Sequence, residues 1–533
     1  MESSSAKILT HRGYSILKSA LTEKQADKIR SDLTVCPKLN NKFASPAIQA
    51  GLTFKLFKES ATRWYLPRFY GVETFGSPDT SVLSEGLDLC DAAAKFGGTP
   101  YQYQTDIING FLTAGANGLI CVPCGKGKTF MALKIAASLK KRFLVIVDKE
   151  FLMNQWRGEM AALMPGLRVG ILQGSVSQIE NEMVYPKDPT LPELKLMAKN
   201  AGLKTSGTKP ELIARLTEAN IKIKGDAEEI QYDCTICMIQ TLCGKEFSDT
   251  TFRNYGFTIF DECHHLGAQH FSKTLQKVQT KCMLGLSATP TREDGLTKVF
   301  FWFLGKPVYW EKQREPDPTV EVLSILVKSD EPEYNTVPRD WKGEPVMARL
   351  LGNVLGCSER TDEIIRQIVE LCADSRRRVL VLSERIGHLE EIERRLGLAL
   401  KKPTISYYIG GMKEAVREAG AASAQVLLAS YAMASEAMNI KTLNTVILAS
   451  PRKHVEQSTG RILRVQVSER QVMPKIIDFV DVHSMYRGQW KKRLTYYRAC
   501  AYSLSTITMG GTQEAIDEVP LIEPDINGCL FQD

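Results

Sequence analysis

Short, mostly apolar runs alternating with helix-length amphipathic stretches constrain this chain more than any other feature. Between residues 99 and 302 the runs fall at 119–122, 143–147, 236–239, 257–260 and 283–286. The same grammar returns between residues 359 and 515, at 379–382, 405–409, 426–429, 446–448 and 476–479. A strand that is apolar on both faces must be covered on both faces, as in a parallel sheet flanked by helices. The pattern therefore predicts an α/β chain with two parallel-sheet domains in series.

At 533 residues there is room for more. Residues 1–98 read as a separate accessory domain, in which Thr22 and Gln25 form a capping box opening a helix. The basic and aromatic stretch from Lys55 to Tyr70, centred on Arg63, Trp64 and Tyr65, reads in two ways. It is either a surface that stacks bases and holds phosphates, or a small aromatic core under a charged face. Residues 303–358 read as a linker with an extra element, and residues 516–533 as an acidic tail. A net charge of +7 suits a polyanionic partner without selecting one. Several of the 13 cysteines, Cys121 and Cys282 among them, sit in apolar runs. They read as buried thiols in a reducing, intracellular compartment, with nucleus, cytoplasmic factory and virion left open. No uncharged run of about 18 residues is present, so no membrane partner is expected, and Met1–Ser5 has no secretory pattern.

Two places carry recognisable chemistry. The first strand of the first domain runs into Val122-Pro123-Cys124-Gly125-Lys126-Gly127-Lys128-Thr129, and an amphipathic helix follows. Glycines allow backbone N–H groups to wrap phosphates, and a helix N-terminus favours negative charge. Lys128 is the candidate to neutralise the outer phosphates of ATP, and Thr129 the candidate Mg²⁺ ligand. The run at 257–260 ends in Asp261-Glu262-Cys263-His264-His265. A carboxylate pair at the end of a parallel strand suits a metal ion and an attacking water, so Asp261 is assigned to Mg²⁺ and Glu262 to the water. His264 is the candidate link to neighbouring elements. A zinc cluster of Cys263, His264, His265 and His270 matches no structural spacing, and Cys234 with Cys237 reads as core packing.

The order of these and later motifs resembles superfamily 2 helicases. The resemblance spans roughly residues 100 to 500 and rests on the Lys128 loop, on Asp261-Glu262-Cys263-His264, on Ser287-Ala288-Thr289-Pro290 and on the run from Gln457 to Arg464. It implies two tandem RecA-like domains that hydrolyse ATP at their interface. It also implies that Gln104 contacts adenine (Gln102 competes for this role) and that Gln457, Arg461 and Arg464 act on the ATP phosphates. Gln155-Trp156 and Gln240-Thr241 correspond to the nucleic-acid-facing motifs. The triplet Arg292-Glu293-Asp294 is similar to the XPB-type branch, and coupling roles follow for Ser287, Thr289, these three residues and Glu436. The double histidine and the region around Tyr496 resemble helicases of large eukaryotic DNA viruses, including the poxvirus transcript-release type. The chain departs from the family at Glu436-Ala437-Met438-Asn439, where Glu-Gly-x-Asp is usual. The added Cβ and the lost charge are expected to weaken the coupling of ATP to strand separation.

Residues 188–222 interrupt the first domain. Thr190 with Glu193 and Thr208 with Glu211 make two capping boxes, each with proline in the first turn. Leu191, Leu194, Ala198 and Ala201 share one helix face, and Leu212 and Leu216 another. The segment resembles a SAP motif, which implies duplex-DNA binding through Lys195, Lys209 and Arg215. DNA, duplex and single-stranded, is thus the expected partner, with RNA disfavoured and transcription or replication machinery as candidate protein partners. A duplex translocase that does not unwind, and a DNA-binding scaffold with weak ATPase, are the competing readings.

Overall fold

The computed structural model describes residues 5–38, 51–123, 125–179, 182–184, 189–219, 228–264, 269–288, 290–292, 294–311, 315–400, 402–436, 438, 440–465, 467–511 and 513–514. Side chains of 182–184, 228–230, 269–271, 435–436 and 513–514 are outside that description. The chain divides into two compact units, Met1–Ile120 with Thr129–Tyr309, and Cys121–Lys128 with Trp310–Asp533.

In the first unit, the strands Lys7–Thr10 (β1), Gly13–Leu17 (β2), Lys58–Glu59 (β3), Arg63–Leu66 (β4) and Thr80–Ser81 (β5) form a five-stranded sheet ordered β3-β4-β2-β1-β5. Thr22 and Gln25 cap the helix Glu23–Asp32 reciprocally. The ambiguous aromatic stretch is resolved here toward packing. Trp64 is 2% exposed, with the Phe57 ring 5.2 Å away and the Lys18 and Arg30 cations over its ring. Tyr70 is buried edge-on to Trp302 at 5.4 Å, and Arg68 donates to Asn117 Oδ1 at 3.1 Å, so this sheet is docked on the rest of the unit.

The large sheet of this unit contains Asn117–Cys121 (β6), Phe143–Val147 (β7), Val169–Gln173 (β8), Val176–Ser177 (β9), Cys234–Met238 (β10), Phe257–Phe260 (β11), Cys282–Ser287 (β12) and Pro307–Trp310 (β13). Its order is β9-β8-β10-β7-β11-β12-β6-β13. The central pairings β8–β10, β10–β7, β7–β11 and β11–β12 are all parallel. Every residue of β7, β10 and β11 is buried, as strands covered on both faces require. Cys234 and Cys237 lie in that buried set.

The second unit contains Glu321–Leu326 (β14), Val379–Ser383 (β15), Ile405–Tyr408 (β16), Val426–Ser430 (β17), Thr445–Leu448 (β18), Lys475–Val480 (β19), Ser503–Thr508 (β20) and Gln513–Glu514 (β21), ordered β16-β17-β15-β18-β19-β14-β20-β21. All its pairings are parallel except that of the final strand. The two sheets make this an α/β protein with tandem RecA-like domains. The stretch 303–358, expected as a linker with an extra element, supplies β14, which lies between β19 and β20 inside the second sheet. Ser324 interrupts its apolar run, and the buried Ser324 hydroxyl is satisfied by the Trp490 indole N–H at 3.3 Å. The segment expected as a tail, residues 516–533, lies outside the described residues.

The basic helix Ser484–Ala499 is also more structural than its composition suggests. Arg493 is 2% exposed and grips Asp478 of β19 through two bonds of 2.8 Å. A second buried pair, Arg360 with Asp481, is bidentate at 2.8 and 3.1 Å, and Tyr334 donates to the same carboxylate.

The insertion folds as two capped helices, Leu191–Asn200 and Lys209–Glu218, around Leu194, Ala198, Leu212 and Leu216. Leu191 is exposed rather than packed, and Leu203 completes this small core.

Candidate active site

β6 is buried along most of its length and Val122 continues it, so the loop leaves the sheet from a fixed base. Gly125 (φ +90°) and Gly127 (φ +81°) both occupy the left-handed region, which a side chain would strain. The helix Lys128–Leu139 starts immediately afterwards, and Met131, Ala132, Leu133, Ile135 and Ala136 anchor it. Lys128 and Thr129 are therefore half-buried in a first helical turn, where orphan backbone N–H groups gather. Pro123 and Lys126 flank the glycines. Lys126 is paired with Glu315 at 3.0 Å and Glu311 at 3.5 Å. Burial draws its ammonium pKa down, but the Glu315 hydrogen bond and the two negative charges outweigh this and raise it. Cys124 lies outside the described residues.

The carboxylates follow β11, two strands from β6 in the same sheet. Asp261 is fixed on three sides. Its N–H donates to Ile146 O of β7 at 3.0 Å, its Oδ2 accepts the Trp156 indole N–H at 2.8 Å, and its Oδ1 accepts the Glu262 N–H at 3.0 Å. Glu262 has φ +43°, a left-handed conformation unusual for a residue with a side chain. Such strain persists only where the surroundings impose it, and it concentrates at functional sites. His264 Nδ1 lies 3.4 Å from Glu262 Oε2 and 3.1 Å from the hydroxyl of Ser287, which is wholly buried at the end of β12. Arg292 donates to the His264 carbonyl and pairs with Asp294 through bonds of 2.9 and 2.5 Å. Burial raises the Asp294 pKa, yet the Arg292 bond and the Leu296 N–H leave it lowered. Asp261, Glu262, His264, Ser287, Arg292 and Asp294 thus form one connected chain. Thr289 and Glu293 are outside the described residues, as are His265 and the His270 side chain.

The residues present fit a magnesium-bound nucleoside triphosphate. Thr129 and Asp261 offer hard oxygen donors, and the two left-handed glycines free the loop backbone to approach phosphate oxygens.

The structure places several predicted site residues differently. The sequence reading has Trp156 facing nucleic acid; instead it is 1% exposed, and its one polar side-chain atom donates to Asp261. Its neighbour Gln155 is half-buried on the helix Glu150–Leu163. Gln104 is 4% exposed, and its Oε1 accepts the Tyr101 N–H at 3.0 Å, closing a capping box. Gln240 donates to Asp148 O at 2.6 Å, and Thr241 accepts the Gly174 N–H at 3.0 Å, so this pair braces the loops after β7 and β8. Lys195 is exposed and Lys209 half-exposed on the insertion. Arg215 donates to the carbonyls of Lys204 and Ser206, so it holds the connection between the helices rather than reaching outward. In the second unit, Gln457 lies on the short helix Glu456–Thr459. Arg461 donates to Ala434 O at 2.6 Å and Met438 O at 2.9 Å, and Arg464 to Met438 O at 2.7 Å. Both arginines therefore hold the backbone beside the altered Glu436–Asn439 stretch, of which Ala437, Asn439 and the Glu436 side chain are outside the described residues. The sequence offers one unused signal for the role of Trp156: a tryptophan two turns into the helix after a strand that pairs with the carboxylate strand.

Residues 98–292 match the family profile described as "Type III restriction enzyme, res subunit". A protein of Acanthamoeba polyphaga mimivirus, provisionally named an ATP-dependent RNA helicase, is 29% identical over 93% of this chain and 86% of its own length. A similarly named protein of African swine fever virus is 25% identical over 76% of this chain and 73% of its own. The Trypanosoma brucei DNA repair helicase/translocase XPB-R is 22% identical over 60% of this chain and 42% of its own. Among solved structures, phage T4 UvsW aligns over 92% of this chain and 96% of its own with 15% identity and a TM-score of 0.32. Through the ResIII-type segment at residues 98–292, the chain is similar to superfamily 2 helicases. Its similarity runs to helicases of large DNA viruses, with a weaker likeness to the XPB branch.

Proposed function

We propose that this chain is a DNA-dependent ATPase that moves along DNA and separates or strips what is bound there. The observation that carries the reading is the strand–loop–helix with two left-handed glycines, in the same sheet as a strand ending in the braced Asp261-Glu262 pair. In this account the loop N–H groups and Lys128 hold the phosphates. Glu262 orients the attacking water and takes up its proton, and His264 with Ser287 transmits the state of that carboxylate to the Arg292–Asp294 segment. A divalent ion held by Thr129 and Asp261 would supply charge neutralisation at the phosphates. Arg461 and Arg464 are proposed to stabilise charge in the transition state, as the resemblance implies.

DNA is favoured over RNA by the SAP-like insertion, with Lys195 and Lys209 as phosphate contacts. The mimivirus and African swine fever virus relatives carry RNA in their names, so RNA is the competing substrate. The proposed 3′-to-5′ direction and the link to viral transcription, replication or repair rest on resemblance alone. Ala437 and Asn439 favour a second reading, translocation on duplex without strand separation. Strand displacement on tailed DNA duplexes and DNA–RNA hybrids, beside triplex displacement, separates these. Displacement of a triplex strand without duplex unwinding supports the translocase, robust unwinding excludes it, and preference for RNA-tailed substrates overturns the DNA assignment.

A further inference from the structure

We propose that Trp156 is a positioning residue for the Asp261 carboxylate, its indole N–H fixing the orientation in which that carboxylate meets a divalent ion; the inference rests on the nucleotide reading above. β7 and β11 are parallel neighbours, with Ile146 opposite Phe260 in register. The chain leaving β7 enters the helix Glu150–Leu163, and the chain leaving β11 becomes Asp261. Two turns into that helix, Trp156 is placed to reach Asp261 at 2.8 Å.

A buried indole N–H needs some acceptor, so a bond to a nearby oxygen follows from burial alone. Two features set this bond apart. The acceptor is a carboxylate rather than a backbone carbonyl, which makes the bond charge-assisted. The Glu262 N–H also occupies the other carboxylate oxygen, at 3.0 Å. Donors on both oxygens fix the plane of the carboxylate about its last torsion. A carboxylate has about four acceptor positions, so two such bonds orient it without exhausting it. Magnesium demands near-ideal octahedral geometry, so a ligand that swings freely costs affinity. Hydrogen-bond partners of ligating groups typically matter about 10- to 100-fold in metal affinity.

Two substitutions separate donor from bulk. Trp156→Phe retains an aromatic ring and loses the N–H. Trp156→His loses the second ring, while the imidazole Nε2–H falls where the indole N–H was. The probe is Mn²⁺, bound by the full-length protein in the presence of a non-hydrolysable ATP analogue and read from the free-ion electron paramagnetic resonance signal. We expect Mn²⁺ affinity to fall about tenfold in Trp156→Phe and to stay within about threefold of wild type in Trp156→His. Metal-free nucleotide affinity, measured in EDTA with a fluorescent ADP, should be unchanged in both. If affinity instead follows ring size, with Trp156→His weaker than Trp156→Phe, or if Trp156→Phe binds Mn²⁺ as wild type does, the positioning role is overturned. Wild-type protein that binds Mn²⁺ no better with the nucleotide than without it would overturn the nucleotide reading itself, and this inference with it.

Discussion

Arg493 provides the sharpest division between a surface reading and a structural one. By composition, the helix Ser484–Ala499 is a basic face suited to nucleic acid, and a surface arginine removed from it would cost little stability. The structure places Arg493 at 2% exposure against an Asp478 carboxylate that is wholly buried. Two bonds of 2.8 Å join them, and Tyr497 donates to the same carboxylate at 3.1 Å. Arg493→Ala therefore leaves a buried anion with a phenol as its remaining partner among these groups. Removing one partner of a buried ion pair costs about 3–5 kcal/mol, which is roughly two to four powers of ten in an opening equilibrium. Lys491 and Lys492, exposed on the same helix, should cost within about 0.5 kcal/mol each when replaced by alanine. Because the chain has two units, a single melting point is a poor reporter. Native-state hydrogen exchange of the β18 and β19 amides reads the second unit directly. If Arg493→Ala exchanges there as wild type does, while DNA affinity falls and its salt dependence flattens, the structural assignment of this arginine is wrong.

Four further outcomes are expected. Gly127→Ala should raise the KM for ATP and cost about 1–2 kcal/mol through its left-handed φ; steady-state kinetics, with native-state hydrogen exchange of the Lys128–Leu139 helix amides, checks both. His388 is 5% exposed, with its Nδ1 3.0 Å from the Ser383 hydroxyl. Burial first, then the Arg360 and Arg395 charges, pushes its pKa down to about 3, against a weaker pull from Glu391. The unfolded chain then binds a proton that the folded one refuses, so stability should fall by up to about 1.4 kcal/mol per pH unit from about pH 6.5 toward 3. Trp-monitored urea titrations of wild type and His388→Gln across that range should show a shallower decline in the variant. Lys195→Ala and Lys209→Ala should each weaken DNA binding and lower the log–log salt slope by about 1, whereas Arg215→Ala should first destabilise the insertion, as fluorescence anisotropy and limited proteolysis would report. Glu262→Gln should retain nucleotide binding and lose hydrolysis by at least about 100-fold, read by ATP-analogue binding beside phosphate release.

The central strands were legible because both of their faces are buried, and a short apolar run without alternation, bounded by turn residues, fits a doubly covered strand. The strand β14 was not, because Glu321 and Ser324 limit its apolar run, it lies in a stretch rich in proline and charge, and the group that satisfies the hydroxyl, Trp490, lies far along the chain. The five-stranded N-terminal sheet was missed for a similar reason. Its strands are short, and two of them, Lys58–Glu59 and Thr80–Ser81, are exposed and polar. At the site, the loop glycines and the Asp261-Glu262 pair could be read from residue type and spacing, since phosphate and metal chemistry restrict both. What could not be read was orientation. Trp156 and Gln155 are adjacent in sequence, and only the helix phase sends the indole inward to a carboxylate. Arg215 and Arg493 look like any surface cation until the carbonyls or the carboxylate they serve are known.

The most direct test of the account is steady-state ATP hydrolysis by the full-length protein alone and with single-stranded DNA, duplex DNA or RNA, beside Lys128→Ala. The account predicts hydrolysis stimulated more by DNA than by RNA and abolished in the variant. Hydrolysis that survives Lys128→Ala, or that no nucleic acid stimulates, would contradict it.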